Sequence, residues 1–310
     1  MNEPKITHEL LKAVYPTLRR WVDGFFVSKR AQGVAASTSE LYRKHLTRFV
    51  DYCESRGVVV LEGIDATLIR EYLIGLGEAG HNPGGVHMTY RAIKSFLRWY
   101  EVEAEPEGWR NPIKKVKAPK VPEEILSPVL IPDVMRMVDA CKPTWMGPRD
   151  KAILLTLLDT GARASELTGF DLGDFDSVSG ALTIRKGKGG KGRVVFVGQR
   201  TRKALRAYLR VRGDRPGPLF MGRDGVRLAY HGLRMIIIHR AREAGVEPIP
   251  SLHSFRRAFA LELLRSGVDL LTIQRLLGHS DLSILKRYVK QTSEDLRIAH
   301  AAHSPVDRAG

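Results

Sequence analysis

Residues 251–290, SLHSFRRAFALELLRSGVDLLTIQRLLGHSDLSILKRYVK, gather His253, Arg256, His279 and Tyr288 into one short stretch. Phe255, Phe259, Leu263 and Leu264 recur at helical spacing behind Ser254, which is expected to cap a helix that Gly267 stops. A second run, Leu270 to Leu277, should end at Gly278, and Ser280 should cap a third helix carrying Tyr288. On one unbroken helix His279 and Tyr288, nine residues apart, would face opposite ways; the Gly278 break removes that conflict. His253 and His279 then both stand at helix entrances, with Arg256 in the first turn after His253. Free amides and attached cations of this kind suit an anion. The plainer reading is a basic helical bundle with core histidines and a half-buried tyrosine.

Two further stretches supply cations. In ThrGlyAlaArgAlaSerGluLeu, 160–167, Thr160-Gly161 break the apolar helix AILLTLLD, so Arg163 begins a new short helix. Glu166 follows it at i+3, either as the partner of a purely structural arginine or as the group that orients a working one. The β-branched runs 181–185 (ALTIR) and 193–197 (RVVFV) read as a hairpin joined by LysGlyLysGlyGlyLysGly. That loop is no phosphate-binding P-loop, because it joins two strands and no Gly-Lys-Ser/Thr precedes a helix. ATP is not implied.

Taken together, His253-Ser254-Phe255-Arg256, LeuLeuGlyHisSer at 276–280 and Tyr288 nine residues after His279 resemble the signature of the tyrosine recombinase (phage integrase) family, and residues 160–167 resemble its first arginine box. The resemblance implies a catalytic hexad of Arg163, Lys188, His253, Arg256, His279 and Tyr288. Tyr288 would be the nucleophile, Glu166 would support Arg163, and Lys188, flanked by Gly187 and Gly189, would be the general acid. Lys186 and Lys191 would face DNA or solvent. Arg257 stands where many relatives have histidine, outside the hexad. Such a set suits phosphoryl transfer without metal or other cofactor. Two arginines can clamp the non-bridging oxygens, a cationic site favours the phenolate of a tyrosine whose ordinary pKa is near 10, and the lysine can protonate the leaving 5′ oxygen. The family's intermediate is a 3′-phosphotyrosine with a free 5′ hydroxyl, which a second strand's hydroxyl reverses without ATP. Its members assemble as tetramers on paired half-sites, a terminal helix docking into the neighbouring protomer; residues 292–310 are the counterpart here, and an accessory protein or second recombinase can take part.

Other readings stay open. A type IB topoisomerase uses related chemistry, but the LLGHS context and the lack of extra large domains weigh against it. A non-catalytic architectural DNA-binding protein would need neither Tyr288 nor Lys188. Asp171, Asp174 and Asp176 are spaced like a loop at a strand start, not like a two-metal nuclease site. His231 and His239, and the pair His300 and His303, lack a third ligand at diagnostic spacing.

The elements that must position these groups follow from patterning. The chain has 310 residues, 50 Lys plus Arg against 34 Asp plus Glu, and a net charge of +16, which favours a polyanionic partner such as double-stranded DNA. No apolar run nears the ~20 residues of a membrane span, the start MNEPKITHEL lacks a signal core, and Cys53 and Cys141 have no partner motif, so a cytoplasmic protein is expected. Residues 14–101 read as helical: one helix near Tyr15–Arg30, one opened by a capping box at Ser37–Glu40, one over Ala66–Leu76, and one capped by Asn82 with Pro83. Arg43, Lys44 and Arg48, then Arg91, Lys94 and Arg98, with Tyr42 and Tyr90 beside them, form a candidate DNA-facing surface. Asn111–Glu124 (NPIKKVKAPKVPEE) is expected to be an extended basic connector. The expectation is therefore a mainly α protein with a small antiparallel sheet in its second domain (α+β): a helical core-binding domain at 1–110, a linker at 111–124, and a catalytic domain with an exchange tail at 125–310. About fifteen residues before the first helix are too few for a separate arm-binding domain, which fits a simple Xer-like or mobile-element enzyme.

Overall fold

Side-chain caps decide where most helices of the N-terminal part begin. The computed structural model describes residues 17–122, 127–144, 146–185 and 192–278, with isolated positions 297, 300, 301, 304 and 306. Within it α1 spans Leu18–Ala31, α2 Ala36–Ser55, α3 Ala66–Glu78 and α4 Pro83–Glu103. Asp65 accepts the Leu68 amide at 2.7 Å and Asn82 accepts the Gly85 amide at 2.7 Å, with Pro83 in the first turn. Helix α2 departs from expectation. It opens at Ala36, behind Ala35 and without a side-chain cap, ahead of the SerThrSerGlu box expected to start it.

The chain divides into two compact units, 1–124 and 125–310. In the first, Trp21, Phe25, Phe96, Trp99 and Tyr100 pack edge-to-face, Trp21 and Tyr100 with ring centroids 4.8 Å apart. The Pro/Lys stretch expected to run extended from Asn111 instead begins as a 3-10 turn, Pro112–Lys115. Buried Asn111 donates to Leu97 O at 3.1 Å and accepts the Ile113 amide at 3.1 Å, and Tyr90 Oη donates to Val116 O at 3.2 Å. Proline excludes an α-helix there, but Ile113 and Val116 at i and i+3 give the turn an apolar face, and both enter the core of the first unit.

The second unit is built around α6, Gly147–Thr160, whose stretch Ala152–Leu157 is apolar except for Thr156 and is wholly buried. It packs against α5 (Ile131–Asp139), α8 (Gln199–Arg212), α10 (Leu252–Arg265) and the second strand of a hairpin. The hairpin is β1 (Ala181–Ile184) antiparallel to β2 (Arg193–Phe196), with Leu182 opposite Val195 and Ile184 opposite Arg193. Short α7 (Ala164–Gly169), α9 (Tyr230–Glu243) and α11 (Leu270–Leu277) complete the described elements. Asp150 is buried between Arg149 at 2.9 Å and Arg240 at 2.7 Å, an internal ion cluster that Glu243 joins through Arg240. Ser251, not Ser254, caps α10: its Oγ accepts the Ser254 amide at 3.1 Å, while Ser254 is buried inside the first turn with its carbonyl on the Val129 amide at 3.2 Å. No helix among the described residues is long and apolar enough to cross a membrane.

Gly161 ends α6 in the left-handed region, φ 57°, as the break before Arg163 requires. A Cβ there would lie 2.5 Å from Phe259 Cδ1 and 3.0 Å from Leu277 Cδ2. Gly161→Ala should therefore cost about 3 kcal/mol through backbone strain and overpacking together. Urea unfolding measures it; a loss below about 0.5 kcal/mol would mean the contact yields freely.

Candidate active site

The N-terminal residue of one helix and the C-terminal carbonyls of another bring the cations together. Arg163 is the N-cap of α7, and Glu166, at its third position, reaches back to it. Glu166 Oε2 accepts the Arg163 amide at 2.8 Å and Oε1 accepts Arg163 Nη1 at 2.7 Å. A third group joins from β2. Arg193 Nη1 and Nη2 each donate to a Glu166 oxygen at 2.8 Å, a parallel fork that only guanidinium can make.

Helix α11 ends at Gly278, in the left-handed conformation with φ 61°, and its last carbonyls have no partner within the helix. Three arginines take three successive ones. Arg193 Nε donates to Leu276 O at 2.8 Å, Arg256 Nη2 to Leu277 O at 2.5 Å, and Arg163 Nη2 to Gly278 O at 3.3 Å. Arg256, only 6% exposed, also donates through Nη1 to Gly161 O at 2.6 Å. Gly278 is needed for its φ and for space: a Cβ would meet Arg193 Nη1 at 2.9 Å.

Electrostatics follow from burial. Desolvation alone would raise the Glu166 carboxyl, but the Arg193 fork and the Arg163 amide and guanidinium bring it down to about 2. Burial, reinforced by repulsion from Arg163 and Arg193, lowers Arg256 to about 9, which still leaves it cationic at neutral pH. Among the described residues Arg256 has only carbonyl partners, so no directly bonded carboxylate there cancels its charge. His253 lies in the first turn of α10 and keeps an exposed edge. Partial desolvation first, then Arg256, Arg257 and Arg163, hold it below its ordinary 6.5, so it is neutral at pH 7 and offers one donor and one acceptor. Arg257 is occupied elsewhere, donating to Ser127 O at 3.1 Å and 3.2 Å.

Of the six residues singled out for chemistry, Arg163, His253 and Arg256 are thus gathered with Glu166; Lys188, His279 and Tyr288 lie outside the described residues, as does most of the tail. Asp171 and Asp174 are engaged by Arg185 and Arg227, and among the described residues no three His, Cys, Asp or Glu side chains come together as a metal site would require. His231 and His239 are both exposed, His239 3.5 Å from Glu243.

Residues 131–295 match the model of the phage integrase family. The chain belongs to that family, the tyrosine recombinases. It is similar to tyrosine recombinase XerC of Pseudomonas putida KT2440, 31% identical over 283 residues that cover 89% of this chain and 93% of the relative. To tyrosine recombinase XerA of Thermococcus kodakarensis it is 30% identical over 280 residues, 89% and 93% of the two chains. Among solved structures it shares the fold of the Tn1549 transposon integrase in complex with circular intermediate DNA, with a TM-score of 0.72, 16% identity, and coverage of 90% and 98%.

In the first unit of this recombinase the basic residues divide. Arg91 and Lys94 line one groove of about 630 Å³ with Lys29, Arg98 and Trp99, whose buried indole N–H has no acceptor among the described residues. Tyr90 is buried as its floor, with Lys94 5.6 Å from the ring. Lys44 and Arg48 are exposed on α2, whereas Arg43 leans on the Phe26 ring at 4.1 Å and reaches Asp23 at 3.4 Å. Sequence reasoning passed over Arg193, reading 193–197 only as a β-branched run. Its signal was phase: Arg193 shares a strand face with buried Val195, an inward position where a cation needs a buried partner.

Because the folded Glu166 carboxyl is depressed, its stabilisation is complete above the unfolded value of about 4.5 and is lost as pH falls toward about 2. Glu166→Gln should cost about 3 kcal/mol at pH 7, a difference that narrows steadily below about pH 4.5. Urea titrations across pH 3–7 read it. A gap that stays constant to the lowest pH at which the protein folds contradicts the assignment.

Proposed function

We propose that this tyrosine recombinase cleaves and rejoins DNA at specific sites, with Tyr288 as nucleophile. The observation that supports the reading is the cluster at the end of α11, where Arg163 is braced by Glu166 and Arg256, among the described residues, is bonded to carbonyls and to no carboxylate. A phosphodiester entering such a cluster would find Arg163 and Arg256 ready for its non-bridging oxygens, and these donors gain most as negative charge develops in the transition state. Neutral His253 can hydrogen-bond the same phosphate and pass a proton. Tyr288 attacks phosphorus as the phenolate that the cationic site favours, the P–O5′ bond breaks, and the leaving oxygen takes a proton from Lys188, with His279 assisting at the phosphate. The resulting 3′-phosphotyrosine conserves the energy of the broken bond, so a 5′ hydroxyl of another strand can reverse the attack and release Tyr288.

The first unit is the core-binding half of this reading, a domain whose core takes in Ile113 and Val116 and whose last residues are the basic segment 111–124. Lys29, Arg91, Lys94 and Arg98 would take backbone phosphates in the groove, and Arg43, Lys44 and Arg48 would add to the same field. Residues 125–310 are the catalytic domain, with the tail coupling protomers of a cytoplasmic tetramer on paired half-sites. The reading extends to a mobile-element or dimer-resolution role in which a second recombinase or accessory protein sets strand order.

A nicked suicide substrate, carrying a site selected from a DNA library by binding, tests the chemistry. The wild type should leave a covalent protein–DNA adduct on a denaturing gel without ATP, and Tyr288→Phe should bind equally but leave none. Specific binding by the wild type with no adduct would move the chain to the architectural reading. Separately, Arg91→Ala and Lys94→Ala should each weaken half-site binding uniformly across sequences and reduce the salt slope of log K by about 1. An unchanged slope in both variants removes the groove from the DNA interface.

A further inference from the structure

The proposed chemistry assigns no task to one buried cation of the site. Arg193 comes from strand β2, its side chain is 11% exposed, and three of its donors end on protein groups: both Glu166 oxygens at 2.8 Å and Leu276 O at 2.8 Å. Arg163 is held differently. One terminal nitrogen bonds Glu166 at 2.7 Å, the other reaches Gly278 O only at 3.3 Å, and its side chain is 20% exposed.

We propose that Arg193 is a positioning residue: its fork occupies Glu166 so that Arg163 keeps its remaining donors for the phosphate, an inference that rests on the recombinase reading above. A carboxylate this buried (2% side-chain exposure) must be paired, because an uncompensated charge in that setting is strongly unfavourable. With Arg193 present, the pairing is carried mainly by a group that faces no substrate. Without it, Arg163 is the cation already bonded to Glu166, and it would close on the carboxylate as the new fork, turning its donors inward. The charge count moves the same way. Arg163, Arg193 and Arg256 against Glu166 leave a net +2, which falls to +1 when Arg193 is neutral. The fork also pins β2, one strand of the hairpin whose turn contains Lys188 in sequence, to the helix that begins at Arg163.

The distinguishing measurement is a double-mutant cycle on single-turnover cleavage of the suicide substrate, with half-site Kd and thermal melting recorded for every variant. Arg193→Gln should slow cleavage about 10²-fold while Kd stays within about threefold, the pattern of a lost transition-state interaction. In the Glu166→Gln background the carboxylate needing a partner is gone, so adding Arg193→Gln should cost less than about tenfold. Arg193→Lys, which keeps the charge but cannot fork, should fall between wild type and Arg193→Gln. Equal losses from Arg193→Gln in both backgrounds would overturn the proposal, as would a loss of Kd that matches the loss of rate. Should Arg193→Gln alone fail to melt cooperatively, comparison of the double variant with Glu166→Gln, in which the buried carboxylate is already neutral, decides the same point. A wild type that makes no adduct sinks the recombinase reading and this inference with it. A wild type that makes adduct, with Arg193→Gln cleaving at the parental rate, sinks this inference alone.

Discussion

Glu166 is a carboxylate that the second unit has taken almost wholly out of water, and the arrangement of the site follows from the need to satisfy it. A lone buried carboxylate would protonate; this one is driven the opposite way because two guanidinium groups and a backbone amide converge on its two oxygens. The convergence fixes three things at once: the start of α7, the inward phase of β2, and the bearing of Arg163. Geometry set by the partners of one charge is rigid, since each departure from it exposes that charge to an unfavourable medium.

Arg256 solves the opposite problem. It is a buried cation that donates to the carbonyls of Gly161 and Leu277, one at the end of α6 and one at the end of α11, where helix dipoles present their negative poles. Dipoles stabilise the charge without cancelling it. In the proposed reaction, an incoming phosphate would meet a cation to which no carboxylate is bonded among the described residues, which is the sense in which the site would be organised before substrate arrives.

Much of this was legible in the chain. The i,i+3 relation of Arg163 to Glu166 and the breaks at Gly161, Gly267 and Gly278 are local, and local rules found them. The hairpin strands were legible for the same reason, from β-branched runs either side of a glycine-rich loop. What escaped depends on distance in sequence. Arg193 meets Glu166 twenty-seven residues away and Leu276 eighty-three away, so no spacing announces either contact. Ser251 and Ser254 are both good caps three residues apart; a bond from Val129 to the Ser254 carbonyl holds that residue inside the first turn, and only the fold reveals it. At Asn111–Glu124 the proline rule was sound but incomplete, because it is silent about the two apolar residues, Ile113 and Val116, that draw the segment onto the core.

Helix α11 is eight residues long; among the described residues Leu270 and Leu271 are exposed, and Ile273 and Leu277 sink into a small cluster with Ala260, flanked by partly buried Phe259, Leu263, Leu264 and Val268. Its C-terminal end is held instead by the arginines that take Leu276, Leu277 and Gly278 in turn. Charge-assisted hydrogen bonds add hold without burying further apolar surface, so undocking this helix should carry a smaller heat-capacity change than opening either of the two larger cores. Hydrophobic cores weaken on cooling; the hold on α11 does not depend on that driving force. The cation cluster is thereby placed on an attachment whose strength varies little with temperature, even where the surrounding cores soften in the cold.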